Sequence, residues 1–163
     1  MNANASKQSR IQHALFIIVT MLYWSSLYVY VPILSPYLEH LGASYALAGI
    51  VLGSYGLTQI LLRLPIGIAS DKQKKRKPYV ILGLACTALS CLCFAFGEQI
   101  GWALAGRIVS GVAASCWVGF TVMYAGMFRP NQATRAMGMI SLLTAGGQLI
   151  GMALSGLLLR EGG

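Results

Sequence analysis

Of 163 residues, 56% are hydrophobic and only 10% are charged, with a mean hydropathy of +0.67 and a net charge of +8. Ordinary soluble domains carry about 25% charged residues, so this composition excludes a soluble globular domain. The excess of cations reads as topology and as attraction to anionic lipid headgroups, which excludes nucleic acid as a partner.

Apolar windows fall at 13–36, 44–68, 78–97, 100–126 and 137–159. Each is near or above the ~20 residues that cross the hydrocarbon core. Backbone amides cannot go unpaired in lipid, so windows of this length are helices, and the fold class expected is an all-α membrane protein. The strict polar–apolar alternation of a transmembrane barrel is absent. The N-terminal run 14–34 exceeds a 7–15 residue signal core, so an uncleaved first helix is expected.

Orientation follows from the few cations. Lys7 and Arg10 precede span 1. Lys72, Lys74, Lys75, Arg76 and Lys77 separate spans 2 and 3, and Arg129 and Arg135 separate spans 4 and 5. The opposite loops, around Glu39-His40 and Gly97-Glu98, contain no Lys or Arg, so nine of the twelve cations lie on one side. That side is the cytoplasm by the positive-inside rule. The expectation is a multi-pass protein of the plasma membrane, with the N-terminus and the loops 69–77 and 127–136 inside the cell.

Span 1 is rich in aromatics, and Pro32 and Pro36 are expected to bend its outer half. Trp24 and Tyr28 stand one turn apart on one face. Two roles fit them equally: lining a cavity and stacking on an aromatic or cationic solute, or anchoring at the membrane interface. In span 2, Gly49, Gly53, Gly56, Ile60, Arg63 and Gly67 recur at steps of four and three, a small-residue stripe suited to close helix packing. Gln59 on the same span is a further cavity-lining candidate. Arg63, a turn from the cytoplasmic end, is expected to snorkel.

Span 3 has no charge and reads as a packing or lipid-facing helix. Span 4 carries Arg107, about 10 Å into the helix from its outer end at 1.5 Å per residue. A guanidinium at that depth is a functional-site hypothesis by default. Span 5 offers a second small-residue stripe, Gly147, Gly151 and Ser155, followed by Gly156. Gly49, Gln59 and Gly67 repeat as Gly138, Gln148 and Gly156 at an offset of 89 residues, an echo of the kind that inverted three-helix repeats leave. Cys86, Cys91, Cys93 and Cys116 lie inside spans, without a Cys-x-x-Cys pair or a neighbouring His, so they read as packing residues and no metal site is expected.

The densest charge cluster follows span 2: Gly67-Ile68-Ala69-Ser70-Asp71-Lys72-Gln73-Lys74-Lys75-Arg76-Lys77. This pattern, Gly-x-x-x-Asp-Lys and then basic residues, resembles the loop between helices 2 and 3 of major facilitator superfamily transporters. Pro65 fits a common family pattern, whereas Lys74 stands where the family usually has Gly. Arg107 and Gly111 match a second family motif, Arg-x-x-x-Gly in helix 4. A third, in helix 5, is matched by Gly147, Gly151 and Gly156, with Met152 in place of its Pro and Ser155 in place of a Gly. Helix 4 of the family often ends in an acid where this chain has Gly126.

The resemblance covers helices 1 to 5 of an expected twelve, so residues 1–163 read as a partial N-terminal helix bundle of a longer transporter. It implies secondary active transport of a small solute by alternating access, coupled to protons, as efflux or uptake. Gly67, Asp71, Lys72, Lys75 and Arg76 would form a conformational latch against the second half of the same protein. Arg107 and Gly111 would couple proton and substrate movement. The partners implied are a small-molecule substrate, protons, the bilayer and the C-terminal half, with no cofactor. The alternative is a non-transporting scaffold or sensor subunit, or an inactive fragment. An enzyme is disfavoured: Glu39, Asp71, Glu98 and Glu161 are the only acids, and His13 and His40 lie at opposite ends of span 1, an inventory from which no catalytic constellation assembles.

Overall fold

The computed structural model describes the backbone of residues 3–161 and the side chains of 10–129 and 131–158. Gly162 and Gly163, and the side chains of Lys7, Arg160 and Glu161, lie outside the described residues. The chain folds as α1 (Ala3–Tyr28), α2 (Val31–His40), α3 (Tyr45–Gln73), α4 (Lys77–Phe96), α5 (Ile100–Ser115), α6 (Trp117–Ala125) and α7 (Ala133–Glu161), with a short 3₁₀ turn, Pro130–Gln132, before α7. Among the described residues these make five membrane-length spans: Arg10–His40, Tyr45–Gln73, Lys77–Phe96, Ile100–Ala125 and Ala133–Leu158.

Two spans are broken where the chemistry requires it. Span 1 interrupts at residues 29–30, and Pro32 lies in the first turn of α2, where a missing amide proton costs little. Span 4 interrupts at Cys116, whose amide is shared between the carbonyls of Val112 and Ala113. One residue earlier, the Ser115 hydroxyl donates to the Gly111 carbonyl at 2.8 Å, a back-bond of the kind that bends helices.

Between spans 2 and 3 the expected loop over 69–77 is shorter than read. Helix α3 continues to Gln73 and α4 begins at Lys77, so only 74–76 connects them. The start of α3 is capped by Ser44, whose hydroxyl accepts from the Leu47 amide at 3.3 Å. Similarly, α7 begins at Ala133, inside the loop expected over 127–136.

The bundle pairs its helices across short interfaces. Span 4 sits between α3 and α4, while α7 lies along α1. The α1–α7 seam closes tightly at glycine. A Cβ on Gly151 would fall 2.5 Å from the Ser25 carbonyl, and one on Gly147 2.9 Å from the Met21 carbonyl and the Trp24 Cβ. The Ser25 hydroxyl crosses the same seam to the Gly147 carbonyl at 2.8 Å. On the other seam, Ser90 donates from α4 to the Gly106 carbonyl of α5 at 2.9 Å.

The glycine stripe of α3 is a correction to the sequence-based expectation. Among the described residues, a Cβ on Gly49, Gly53 or Gly56 meets nothing within 4 Å, and the same holds for Gly156 of α7. Helix α3 turns a different face inward, carrying Ala48 and Val51, both buried, and then Tyr55, Thr58 and Gln59. Since successive residues are 100° apart on a helix, a stripe offset by one position faces elsewhere.

Large apolar side chains cover the outside, including Leu22, Leu57, Ile60, Leu64, Leu142, Leu149 and Leu158. Such a surface suits lipid and would be an aggregation hazard in water. The protein is a multi-pass, all-helical membrane protein.

Replacing Gly151 with Ala should force α7 off α1 and cost about 1–3 kcal/mol, whereas Gly156→Ala should stay within ~0.5 kcal/mol. Apparent melting temperatures of the two variants in detergent check the contrast.

Candidate functional site

The centre of the bundle is aromatic. Tyr23 and Trp24 of α1 pack on Trp117 and Phe120 of α6, with Tyr23 and Trp117 stacked at 6.0 Å and Trp24 edge-on to Trp117 at 5.1 Å. The Tyr23 hydroxyl donates to the Ala113 carbonyl of α5. These contacts tie span 1 to span 4. Trp24 and Tyr28 do share a face, their rings 5.9 Å apart. Trp24 is nonetheless enclosed by Gly147, Tyr23 and Trp117, so it packs rather than lining open space. Tyr28 is half-buried and its phenol neighbours that of Tyr55 on α3.

Arg107 occupies the α3–α5 contact and is only 7% exposed. Its Nη2 donates to the Leu52 carbonyl at 3.0 Å. Its guanidinium carbon lies 4.5 Å from the centre of the Tyr55 ring. The Nε atom has no acceptor among the described residues. A charge at the centre of a membrane helix costs ~2.5–3.5 kcal/mol on insertion scales. A hydrogen bond from a charged donor returns about 1.5–3 kcal/mol, and a desolvated ring face about 2 kcal/mol, so the two contacts together are large enough to seat the cation.

Gly111 makes that seat reachable. It lies one turn from Arg107 on the same face of α5. A Cβ there would stand 2.6 Å from the Tyr55 carbonyl and 2.8 Å from the Thr58 Cβ. Its absence lets α3 approach, and the Ser115 hydroxyl, another turn on, shares its one proton between the Gly111 carbonyl of its own helix at 2.8 Å and the Gln59 carbonyl of α3 at 3.3 Å. The Arg-x-x-x-Gly spacing thus joins a buried charge to the close approach that satisfies it. Gln59 enters through its backbone carbonyl. Sequence reasoning missed Tyr55 and Leu52. Tyr55 stands one turn from Gln59, yet only knowledge of which α3 face meets α5 could have singled it out.

The charged motif gathers at the other end of α3. Asp71 and Arg76 form an ion pair at 2.6 Å, and Arg76 Nη1 also donates to the hydroxyl of Ser70, which is fully buried, at 2.7 Å. Ser70 anchors the arginine, and the arginine holds the acid. With Asp71 68% exposed, the ion pair itself is worth ~0.2–1 kcal/mol. Lys72 and Lys75 are exposed to solvent. Asp71, Arg63 and Gly67 line a groove of about 490 Å³ along the outer face of α3.

Lys74 ends α3 in the left-handed conformation, with φ 51°. That geometry favours glycine at a helix C-terminus. Its amide bonds back to the Asp71 carbonyl at 3.3 Å, so the turn forms in spite of the side chain. A Lys74→Gly variant should gain about 1 kcal/mol, read as a raised melting temperature.

Residues 16–163 match the model of the Major Facilitator Superfamily. The inner membrane transport protein YajR of Escherichia coli is 33% identical over 117 residues, which cover 71% of this chain and 25% of that protein. The efflux pump azaK of Aspergillus niger is 33% identical over 116 residues, with the same two shares, 71% and 25%. The quinolone resistance protein NorA of Staphylococcus aureus is 25% identical over 127 residues, 77% of this chain and 32% of that protein. The chain spans about a quarter of the length of the first two of these relatives.

Proposed function

The chain belongs to the major facilitator superfamily, and on that premise we propose that it is the N-terminal helix bundle of a proton-coupled secondary transporter. The transporter moves a small organic solute by rocking this bundle against a second one around a central site. The observation that carries the proposal is Arg107, a permanent charge seated deep in span 4 with a ring and a carbonyl as partners. Structural stability alone gives no reason to keep a charge there.

The relatives favour export. One is named an efflux pump and another a quinolone resistance protein. Asp71, Arg76 and Ser70 act as the latch, their ion pair opening and re-forming as the second bundle docks along the groove beside Gly67. The end bearing Lys72 to Lys77 faces the cytoplasm, with the bundle in the plasma membrane.

The test is flux through the full-length transporter in proteoliposomes under an imposed pH gradient, with norfloxacin and ethidium as probes. Flux of at least one probe should follow the gradient and fall tenfold or more in Arg107→Ala. Gradient-insensitive flux of both probes contradicts proton coupling, and unchanged flux in Arg107→Ala removes that residue's role.

A further inference from the structure

We infer that Tyr55 is the positioning residue for Arg107, its ring face standing where a counter-ion would otherwise be. This rests on the coupling role proposed for Arg107. The chain's four acids, Glu39, Asp71, Glu98 and Glu161, all lie in loops or in the last turns of helices. Among the described residues no carboxylate pairs with the Arg107 guanidinium, and the one ion pair is Asp71 with Arg76.

Helix α3 supplies both contacts from one face. Leu52 and Tyr55 are three residues apart and so are neighbours on the helix surface. One contributes a carbonyl at 3.0 Å, the other a ring at 4.5 Å. The carbonyl orients one end of the guanidinium, and the ring attracts its flat face through the negative quadrupole. The free Nε leaves the fork incompletely bonded, so the ring carries a larger share of the attraction than it would beside a carboxylate.

The consequence is functional. A carboxylate partner would titrate and would also lock the cation by a bidentate pair. A tyrosine ring does neither, because its attraction is independent of pH across the working range. Tyr55 therefore holds the Arg107 guanidinium oriented while leaving it free to change partners during the cycle. Gly111 sets the separation, since any Cβ there would strike the Tyr55 carbonyl.

The experiment weakens the ring's quadrupole without changing its shape. Phenylalanine and then mono-, di- and trifluorophenylalanine are placed at position 55 of the full-length transporter, with Arg107 intact and in Arg107→Met. Probe flux of norfloxacin and ethidium is measured in proteoliposomes, and the apparent melting temperature in detergent.

Tyr55→Phe should keep flux within about twofold, and each added fluorine should lower both flux and melting temperature. Tyr55→Leu should cost about tenfold in flux. In Arg107→Met the fluorine series should be flat, a difference that a purely steric role for the ring does not produce. The melting series needs no transported probe. If it is flat with Arg107 present, or equally sloped with methionine, Tyr55 is not the partner. A sloped melting series with unchanged flux overturns the positioning role. Loss of flux in Arg107→Met beside a fluorine series that is flat with Arg107 intact sinks Tyr55 alone, while unchanged flux in Arg107→Met removes the coupling role of Arg107 itself.

Discussion

A permanently charged guanidinium in the apolar interior of a bundle is the constraint around which the other contacts are arranged. Arg107 cannot shed its proton at any working pH, and it is buried against α3. Its seat must come from a neighbouring helix. That requires α3 to come closer than two ordinary side-chain layers allow. Gly111 provides the approach, the Leu52 carbonyl the hydrogen bond and Tyr55 the ring. Charge, glycine and aromatic form one unit.

The same physics recurs across the bundle without the charge. Gly147 and Gly151 bring α7 against α1 as Gly111 brings α5 against α3; the Ser25 hydroxyl crosses the first seam to the Gly147 carbonyl, and the Ser115 hydroxyl, bonded mainly within its own helix, lies 3.3 Å from the Gln59 carbonyl across the second. Spans 2 and 5 therefore each pack on the span of the opposite triplet, 4 and 1 respectively. The glycines of the 89-residue echo do not make these contacts, since a Cβ on Gly49, Gly138 or Gly156 meets nothing within 4 Å among the described residues. The aromatic cluster then joins the two seams, with Tyr23 and Trp24 of α1 against Trp117 and Phe120 of α6.

The spans were legible because lipid leaves the backbone no choice: an apolar run of twenty or more residues must be a helix. Their internal breaks were less so. Pro32 signalled the interruption in span 1, but the irregular turn at Cys116 depends on the Ser115 hydroxyl choosing its own helix carbonyl, which composition does not record. Residues 69–73 read as loop because they are polar, yet a helix can run past the membrane face into water, and α3 does. The stripe Gly49, Gly53 and Gly56 packs against no helix among the described residues. Small residues show where close packing is possible, whereas the packed face of α3 is decided by Arg107 and Gly111 across the contact. For the same reason Arg107 and Gly111 could be named from the chain alone, and Tyr55 could not.

The most direct test of the buried charge is nuclear magnetic resonance of the full-length transporter labelled with ¹⁵N-arginine. The arginine signal lost in Arg107→Lys should exchange slowly with water, shift upfield from the ring current of Tyr55, and lose that shift in Tyr55→Leu. A rapidly exchanging Arg107 signal at the position of a solvated arginine, indifferent to Tyr55, would contradict the account.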